Sequence, residues 1–208
     1  MSIVSKVRVS CPGCGAEQDC EFVQSINTKL SPALRERLLK GELNFLACAC
    51  GERVRLASNL LFHDPDAQFL CQVVPAGNDA AMTQAASAFH AMGATGTLRL
   101  VRSEIALIEK VKIREAGFED WVIELAKVLL LASLGGDLDR VVLFERAEAD
   151  SLVWVMFDGA APTGFSTPRI MYDNLRRQHA ALRPTADELR IDRVWVAEAM
   201  RRIPATPK

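Results

Sequence analysis

The sequence predicts an α+β protein, and three observations support this fold class. Short segments such as residues 6–10 alternate polar and apolar side chains, which is typical of half-buried strands. Longer segments, most clearly residues 118–134, carry the apolar spacing of helices. Half of the 208 residues (50%) are hydrophobic and 25% are charged, which suits a chain with a buried core and excludes a disordered one.

The first 75 residues are predicted to form strands interrupted by one short helix. Ser31 and Pro32 begin this helix, because Ser caps helix N-termini and Pro favours the first helical position. Lys40 and Gly41 end it, with a cation in the last turn and a glycine that can adopt the left-handed cap. Strands are predicted over residues 6–10, 18–27, 52–56, 60–62 and 69–74.

The composition changes at residues 76–96, an Ala-rich stretch bounded by Pro and Gly that we interpret as a linker with at most one weak helix. This divides the chain into domains 1–75 and 97–208. The second domain should contain helices and a β-hairpin or small antiparallel sheet. Glu109, Lys110 and Lys112 are expected on a solvated helix face. Its predicted elements are a strand over 98–101, helices over 103–115, 118–134, 168–182 and 194–203, and a hairpin of 140–146 with 151–157.

Two cysteine pairs carry the main chemical signal, one spaced C-x2-C-G and the other C-x-C-G. In a reducing compartment, paired cysteines more often bind metal than form disulfides. The glycines that follow, Gly15 and Gly51, allow each chain segment to turn and direct backbone N–H groups at the sulfurs. Two such turns at hairpin ends predict a zinc ribbon with one structural zinc ion. The expected ligands are Cys11, Cys14, Cys48 and Cys50.

Alternatives to this ligand set stay open at the sequence level. The second pair has a one-residue spacer, shorter than the usual two, so Cys71 or His63 could complete the site instead. Disulfide bonds are a second possibility. Cys20 and Cys71 are otherwise expected as small apolar core residues.

The order of several short segments, and the residues between them, also resemble the CpXC domain family of bacterial proteins. The resemblance covers about residues 6–75, and residues 101–127 resemble the region that commonly follows this domain. It implies zinc-ribbon-like metal binding by the two cysteine pairs, and it implies no particular activity. The segments that carry it are residues 9–17, 25–27, 38–44, 48–51 and 60–65.

A second candidate site is a polar patch near the helical insertion. His63 and Asp64 are adjacent, and a histidine can act as an acid or base near neutral pH. An enzyme with a small site around them is therefore one alternative function, in which both side chains would face a pocket. The competing interpretation is that these residues form turns and pin loops. The patch comprises Asn27, Glu42, Asn44, His63 and Asp64.

The net charge and the short apolar runs argue against nucleic acids and membranes as partners. The formal net charge of −1 gives no basic surface for phosphates, so nucleic-acid binding is expected to be absent, and a nucleic-acid-binding ribbon is only a further alternative. The longest apolar run, residues 128–132, is too short for a membrane span, and the N-terminus lacks a signal-peptide pattern, so a cytoplasmic protein is expected. The favoured hypothesis is a non-enzymatic interaction or regulatory module that binds a protein partner or self-associates through helix 118–134.

Overall fold

The structure, a computed structural model, describes residues 1–75, 77, 79–135, 140–159 and 161–202. These residues form helices together with one mixed and two antiparallel sheets, so the predicted α+β class is confirmed. The chain folds as two compact units, Met1–Ile108 and Glu109–Lys208. The segment that we interpret as a linker, residues 76–96, lies inside the first of them.

Strands dominate the first unit. Five of them form a mixed sheet, in which the first hairpin of the chain supplies one edge and the last strand of the unit supplies the other. The strands of this unit are β1 (Ile3–Ser10), β2 (Glu17–Asn27), β3 (Phe45–Ala47), β4 (Arg53–Arg55), β5 (Leu61–Asp64), β6 (Phe69–Val73) and β7 (Thr97–Val101). The sheet order is β1-β2-β5-β6-β7, with β2–β5 and β6–β7 parallel and the other neighbours antiparallel. β3 and β4 form a separate antiparallel hairpin.

Each parallel pairing requires a crossover, and the crossovers carry the helices of this unit. Helix α1 (Pro32–Leu39) begins directly after Ser31 as predicted, although the Ser31 side chain makes no capping hydrogen bond. α1 and the β3–β4 hairpin lie between β2 and β5. Helix α2 (Asp79–Ala91) lies between β6 and β7 and buries Ala85 and Phe89.

Helix α3 (Glu104–Glu115) spans the division between the units and begins where the sequence predicts. Ser103 Oγ accepts a hydrogen bond from the Ala106 N–H at 3.1 Å, which is the expected N-cap contact. Its polar residues Glu109 and Lys110 are buried, so the prediction of a solvated face is wrong for them.

The second unit packs helices on a three-stranded antiparallel sheet. The predicted hairpin forms as β8 and β9, and a strand that was not predicted, β10, joins β9 to give the order β10-β9-β8. The predicted helix 168–182 is divided, since α5 ends at Gln178 and a 3₁₀ turn over Ala180–Leu182 follows. The elements are α4 (Asp120–Ser133), β8 (Val141–Ala147), β9 (Ser151–Phe157), β10 (Thr163–Pro168), α5 (Arg169–Gln178) and α6 (Arg193–Arg202). The predicted end of the last helix, Ile203, lies outside the described residues.

Five charged side chains form a buried ion network in this second unit. Lys110 Nζ contacts Glu124 Oε1 and Asp120 Oδ2, each at 3.0 Å, and donates to the Ile191 carbonyl at 2.6 Å. Lys127 Nζ bridges the Glu124 and Glu109 carboxylates at 3.0 and 2.9 Å. The network, comprising Glu109, Lys110, Asp120, Glu124 and Lys127, therefore joins α3 and α4 to the segment before α6.

In the part of the chain that the structure describes, every helix is too short or too polar to cross a bilayer.

Candidate metal centre

The first cysteine pair lies in the turn that joins β1 to β2. Cys11 follows the last residue of β1, and its N–H donates to the Ala16 carbonyl at 2.9 Å. The Gly15 N–H donates back to the Cys11 carbonyl at 2.8 Å. Gly15 has a φ of 73°, in the left-handed region that glycine adopts without a Cβ penalty. The chain thus reverses tightly enough to bring Cys14 close to Cys11.

The second pair lies in the turn that joins β3 to β4, and it repeats the same hydrogen bonds over a shorter loop. The Cys48 N–H donates to the Glu52 carbonyl at 2.9 Å, and the Gly51 N–H donates to the Cys48 carbonyl at 3.0 Å. Gly51 also has a positive φ, 94°. Each closing bond spans one residue fewer than its counterpart in the first turn. The C-x-C spacing is therefore accommodated by a correspondingly shorter turn.

The two turns meet because hairpins β1–β2 and β3–β4 share a small apolar core. Cys20 on β2 and Leu46 on β3 are buried at its centre. The Gln18 side-chain amide also connects the hairpins, since it donates to the Ala47 carbonyl at 3.1 Å. Partly buried side chains complete this core, namely Val7, Val9, Cys48, Val54 and Leu56.

Four cysteine sulfurs form one cluster as a result. The Sγ atoms of Cys11, Cys14, Cys48 and Cys50 all lie within 4.8 Å of one another. The distance is 3.7 Å from Cys11 Sγ to Cys50 Sγ and 3.5 Å from Cys14 Sγ to Cys48 Sγ. A disulfide requires about 2.05 Å, and all six cysteines are free thiols. The cluster can hold a metal ion.

Backbone N–H groups and neighbouring sulfurs determine how these thiols ionise. The N–H of Cys50, followed by the other three thiols, lowers the pKa of Cys48 to about 7. The N–H of Glu52 lowers the pKa of Cys50, but the surrounding sulfurs, Cys48 first, outweigh it and raise that pKa to about 12. The N–H of Ala16 likewise lowers the pKa of Cys14, which the sulfurs raise overall. Of these three thiols, Cys48 therefore ionises most easily, while the pKa values of Cys14 and Cys50 lie above the ordinary thiol value.

The comparison with protein families identifies the chain. A model of the CpXC protein family matches residues 9–127, which is more than half of the chain. The chain belongs to the CpXC family. The matched CpXC region contains all four clustered cysteines and extends through most of α4, so the resemblance seen in the sequence is confirmed. A search of curated proteins finds no match, and neither does a search of solved structures.

The other predicted ligand candidates of this CpXC chain lie outside the cluster. Among the described residues, the four clustered cysteines form the one group of three or more His, Cys, Asp or Glu side chains placed to share a metal ion. Cys20 and Cys71 are buried in the core, at 6% and 0% exposure. His63 lies on β5, opposite Leu70 of β6.

Two members of the polar patch occupy very different environments. Asn44 is only 3% exposed. Its Oδ1 accepts from the Val23 N–H at 2.7 Å, and its Nδ2 donates to the Val23 carbonyl at 3.1 Å and to Ser58 Oγ at 2.9 Å. Asn44 thereby pins the segment before β3 to strand β2. Glu42, by contrast, is exposed.

The other three members lie near the end of the β2–β5 pairing. Asn27 and His63 are neighbours in the parallel register. Asn27 Oδ1 accepts from the N–H groups of Lys29 and Leu30 at 3.1 and 3.3 Å. Asp64 Oδ1 accepts from the N–H of Ala67 at 3.2 Å. The Asn27 and Asp64 side chains thus stabilise turns, which are the contacts expected of Asn and Asp in loops.

An aromatic–arginine contact beside the second cysteine turn was not apparent from the sequence. The guanidinium groups of Arg53 and Arg55 lie over the Phe45 ring, at 4.7 and 4.3 Å from its centroid. Arg55 also pairs with the Glu104 carboxylate and donates to the Gly41 carbonyl at 3.3 Å. The alternating arginines of β4 were visible, but the register that sets Arg55 opposite Phe45 was not.

Proposed function

We propose that this chain is a non-enzymatic interaction or regulatory module whose first two hairpins form a zinc ribbon around one structural zinc ion. The observation that carries the proposal is the cluster of four cysteine sulfurs at the ends of two hairpins. Structural zinc sites use four protein ligands, whereas catalytic sites keep one position open for water or substrate. Cys11, Cys14, Cys48 and Cys50 would fill the coordination sphere, which favours a structural role.

The spacing of the sulfurs supports zinc as the ion. With zinc–sulfur bonds of about 2.3 Å, tetrahedral geometry separates neighbouring sulfurs by about 3.8 Å. Two edges of the cluster measure 3.7 and 3.5 Å, within a few tenths of an ångström of that value. The backbone N–H groups of Ala16, Cys50 and Glu52 donate to the sulfurs of Cys14, Cys48 and Cys50 respectively. Such contacts stabilise bound thiolates. Bound zinc would offset the thiolate charge and tie the hairpins together.

Metal analysis tests this proposal. Protein purified under reducing conditions should contain about one zinc ion per chain, and cobalt substitution should give an intense thiolate-to-metal absorption band. Cys14→Ser should lose both signals. Cys71→Ala is the matched control, because Cys71 is a buried cysteine on β6 outside both the cluster and the small core that the two hairpins share, and it should keep the full zinc content. A reduced, folded wild-type protein without metal would contradict the zinc ribbon.

We further propose that the module self-associates through its second unit. Helices α4 and α6 leave an apolar groove of about 410 Å³. The groove carries both Glu198 and Arg201, so a second copy of the chain can pair opposite charges across a twofold axis. Its apolar lining consists of Val128, Leu131, Ala132, Val194 and Ala197.

The molar mass in solution distinguishes this arrangement from a monomer. Wild-type protein should be dimeric by light scattering, and Val194→Glu should be monomeric because it places a charge in the groove. Ile170→Glu is the matched control, since Ile170 is an exposed apolar residue on α5 outside the groove. A wild-type monomer at every concentration, or equal dissociation by both variants, would refute self-association through this surface.

A further inference from the structure

Two contacts between the clustered sulfurs cross from one hairpin to the other. Cys11 Sγ lies 3.7 Å from Cys50 Sγ, and Cys14 Sγ lies 3.5 Å from Cys48 Sγ. No cysteine takes part in both contacts, so they divide the four thiols into two pairs. Each pair has to approach by about 1.5 Å to reach the disulfide bond length of about 2.05 Å. Side-chain rotation can supply this approach, since all four cysteines lie in turns outside the strands.

Each of these pairs combines an exposed thiol with a more protected one. Cys14 is exposed, and its partner Cys48 is partly buried. Cys50 is exposed, and its partner Cys11 is only 1% exposed. Cysteines that respond to oxidants are solvent-accessible and often lie next to a second, resolving cysteine. An oxidant in solution can therefore reach one member of each pair, whose partner is already in contact with it.

Disulfides formed within these pairs would be compatible with the packing of the hairpins. Cys20 and Leu46 already hold the two hairpins together, and the Gln18 side chain donates to the Ala47 carbonyl. The new bonds would join the same two turns that this packing brings together. A sulfur in a disulfide is no longer a thiolate, however, and the thiolate is the form that binds metal. Oxidation would therefore keep the hairpins packed while it removes the metal ligands.

We propose that the cluster is a reversible oxidation site that forms two disulfides between the hairpins, Cys14–Cys48 and Cys11–Cys50. Hydrogen peroxide oxidises the exposed thiol of a pair to a sulfenic acid, and one water molecule is released. The partner sulfur then attacks the sulfenic acid sulfur, the S–S bond forms, and the hydroxyl group leaves with the partner's proton as a second water. Each pair of thiols thus gives two electrons and two protons to one peroxide, and a small dithiol reverses the step by exchange. As a control on metal binding this site rests on the zinc ribbon proposed above, whereas the disulfides depend on the cysteines alone.

Thiol counting and disulfide mapping after peroxide treatment test the proposal. The reduced full-length protein has six free thiols. Hydrogen peroxide should leave only the two buried cysteines outside the cluster as thiols, and dithiothreitol should restore all six. In a non-reducing tryptic digest, peptides 9–29 and 41–53 should be joined, and tandem mass spectrometry should assign the bonds to the two pairs named above. Disulfides within one turn, another pairing between the hairpins, unreacted thiols, or a loss that dithiothreitol does not reverse would each overturn the proposal.

Variants and zinc measurements separate this proposal from the zinc ribbon. Cys14→Ser should lose the disulfide to Cys48 and keep the one between Cys11 and Cys50, whereas the control Cys71→Ala should keep both; circular dichroism checks that each variant is folded. Protein that carries zinc should release about one ion for every two disulfides formed, which a chromogenic chelator measures. Reversible disulfides in a protein that carries no zinc would support the oxidation site and refute the zinc ribbon. A zinc-loaded protein whose cysteines resist peroxide would refute the oxidation site alone.

Discussion

Replacing Lys110 by methionine tests whether the buried ion network stabilises the second unit. Methionine has similar length and no charge, so the change removes the cation and leaves the space nearly filled. The Lys110 side chain is only 4% exposed, as is that of Glu124, whose carboxylate the ammonium group contacts at 3.0 Å. The variant therefore leaves Glu124 Oε1, Asp120 and the Ile191 carbonyl without their shared donor.

The expected loss of unfolding free energy is about 3–5 kcal/mol, the usual cost of removing one partner from a buried ion pair. Burial alone lowers the pKa of Lys110, but the carboxylates of Asp120, Glu124 and Glu109 outweigh it, so the pKa lies above the ordinary lysine value. With the folded-state pKa raised, this contribution is fully present below about pH 10.4. It disappears as the pH rises through the folded-state pKa. Adding Glu124→Gln should recover only about 1 kcal/mol, because it lowers the excess negative charge of the network but also removes one partner of Lys127.

Denaturant unfolding followed by tryptophan fluorescence measures the unfolding of the second unit, which contains the network. The three tryptophans of the chain, Trp121, Trp154 and Trp195, are all buried in the second unit. Lys112→Met is the matched control on the same helix, because Lys112 pairs with Glu145 in a partly exposed position. That change should cost no more than about 1 kcal/mol. A cost for Lys110→Met as small as that of the control would refute the reasoning.

Three further predictions concern Asn44, Gly96 and the network residue Glu109. Asn44→Ala should lower the unfolding free energy by about 3 kcal/mol in a chemical melt, since three buried hydrogen bonds are lost; a loss below 1 kcal/mol would contradict this. Gly96→Ala should cost about 2–4 kcal/mol because its Cβ would overlap the Gln68 carbonyl oxygen, whereas Gly93→Ala has nothing within 4 Å and should cost only about 1 kcal/mol. Burial raises the pKa of the Glu109 carboxyl although the Lys127 charge opposes the shift, so the folded state binds the carboxyl proton more tightly than the unfolded state does. Wild-type stability relative to Glu109→Gln should therefore fall as the pH rises above about 4.3, and an increase would refute the shift.

The features that the sequence predicted well are those set by nearby residues. Each cysteine turn depends on a handful of consecutive residues. The start of α1 is set by Pro32 in its first turn, and the start of α3 is set by the Ser103 cap, so local chemistry sufficed to place them. The cluster could be expected because two such turns were present. Its assembly also required hairpins β1–β2 and β3–β4 to pack through Cys20 and Leu46, which no local pattern encodes.

The features that were missed depend on partners far away in the chain. Lys110 and Glu109 have helical spacing that suits a solvated face, and their burial is tolerated only because Lys110 meets Glu124 and the Ile191 carbonyl, 14 and 81 residues away. Strand β10 was missed because Gly164 and Pro168 weaken its strand pattern. It forms at the edge of its sheet, where a proline without an N–H is acceptable.

The one-residue spacer between Cys48 and Cys50 shows how a local irregularity can be resolved by its hairpin. In the first hairpin the last strand pair is Ser10 with Glu17, and in the second it is Ala47 with Arg53. The loop between the paired strands is therefore one residue shorter in the second hairpin, as is the spacer between its cysteines. The hydrogen bonds that close the second turn also span one residue fewer, so the sulfurs still converge. Counting only the residues between the two cysteines therefore makes the second pair look irregular. Comparing the cysteine spacing with the length of the whole turn shows that the two are consistent.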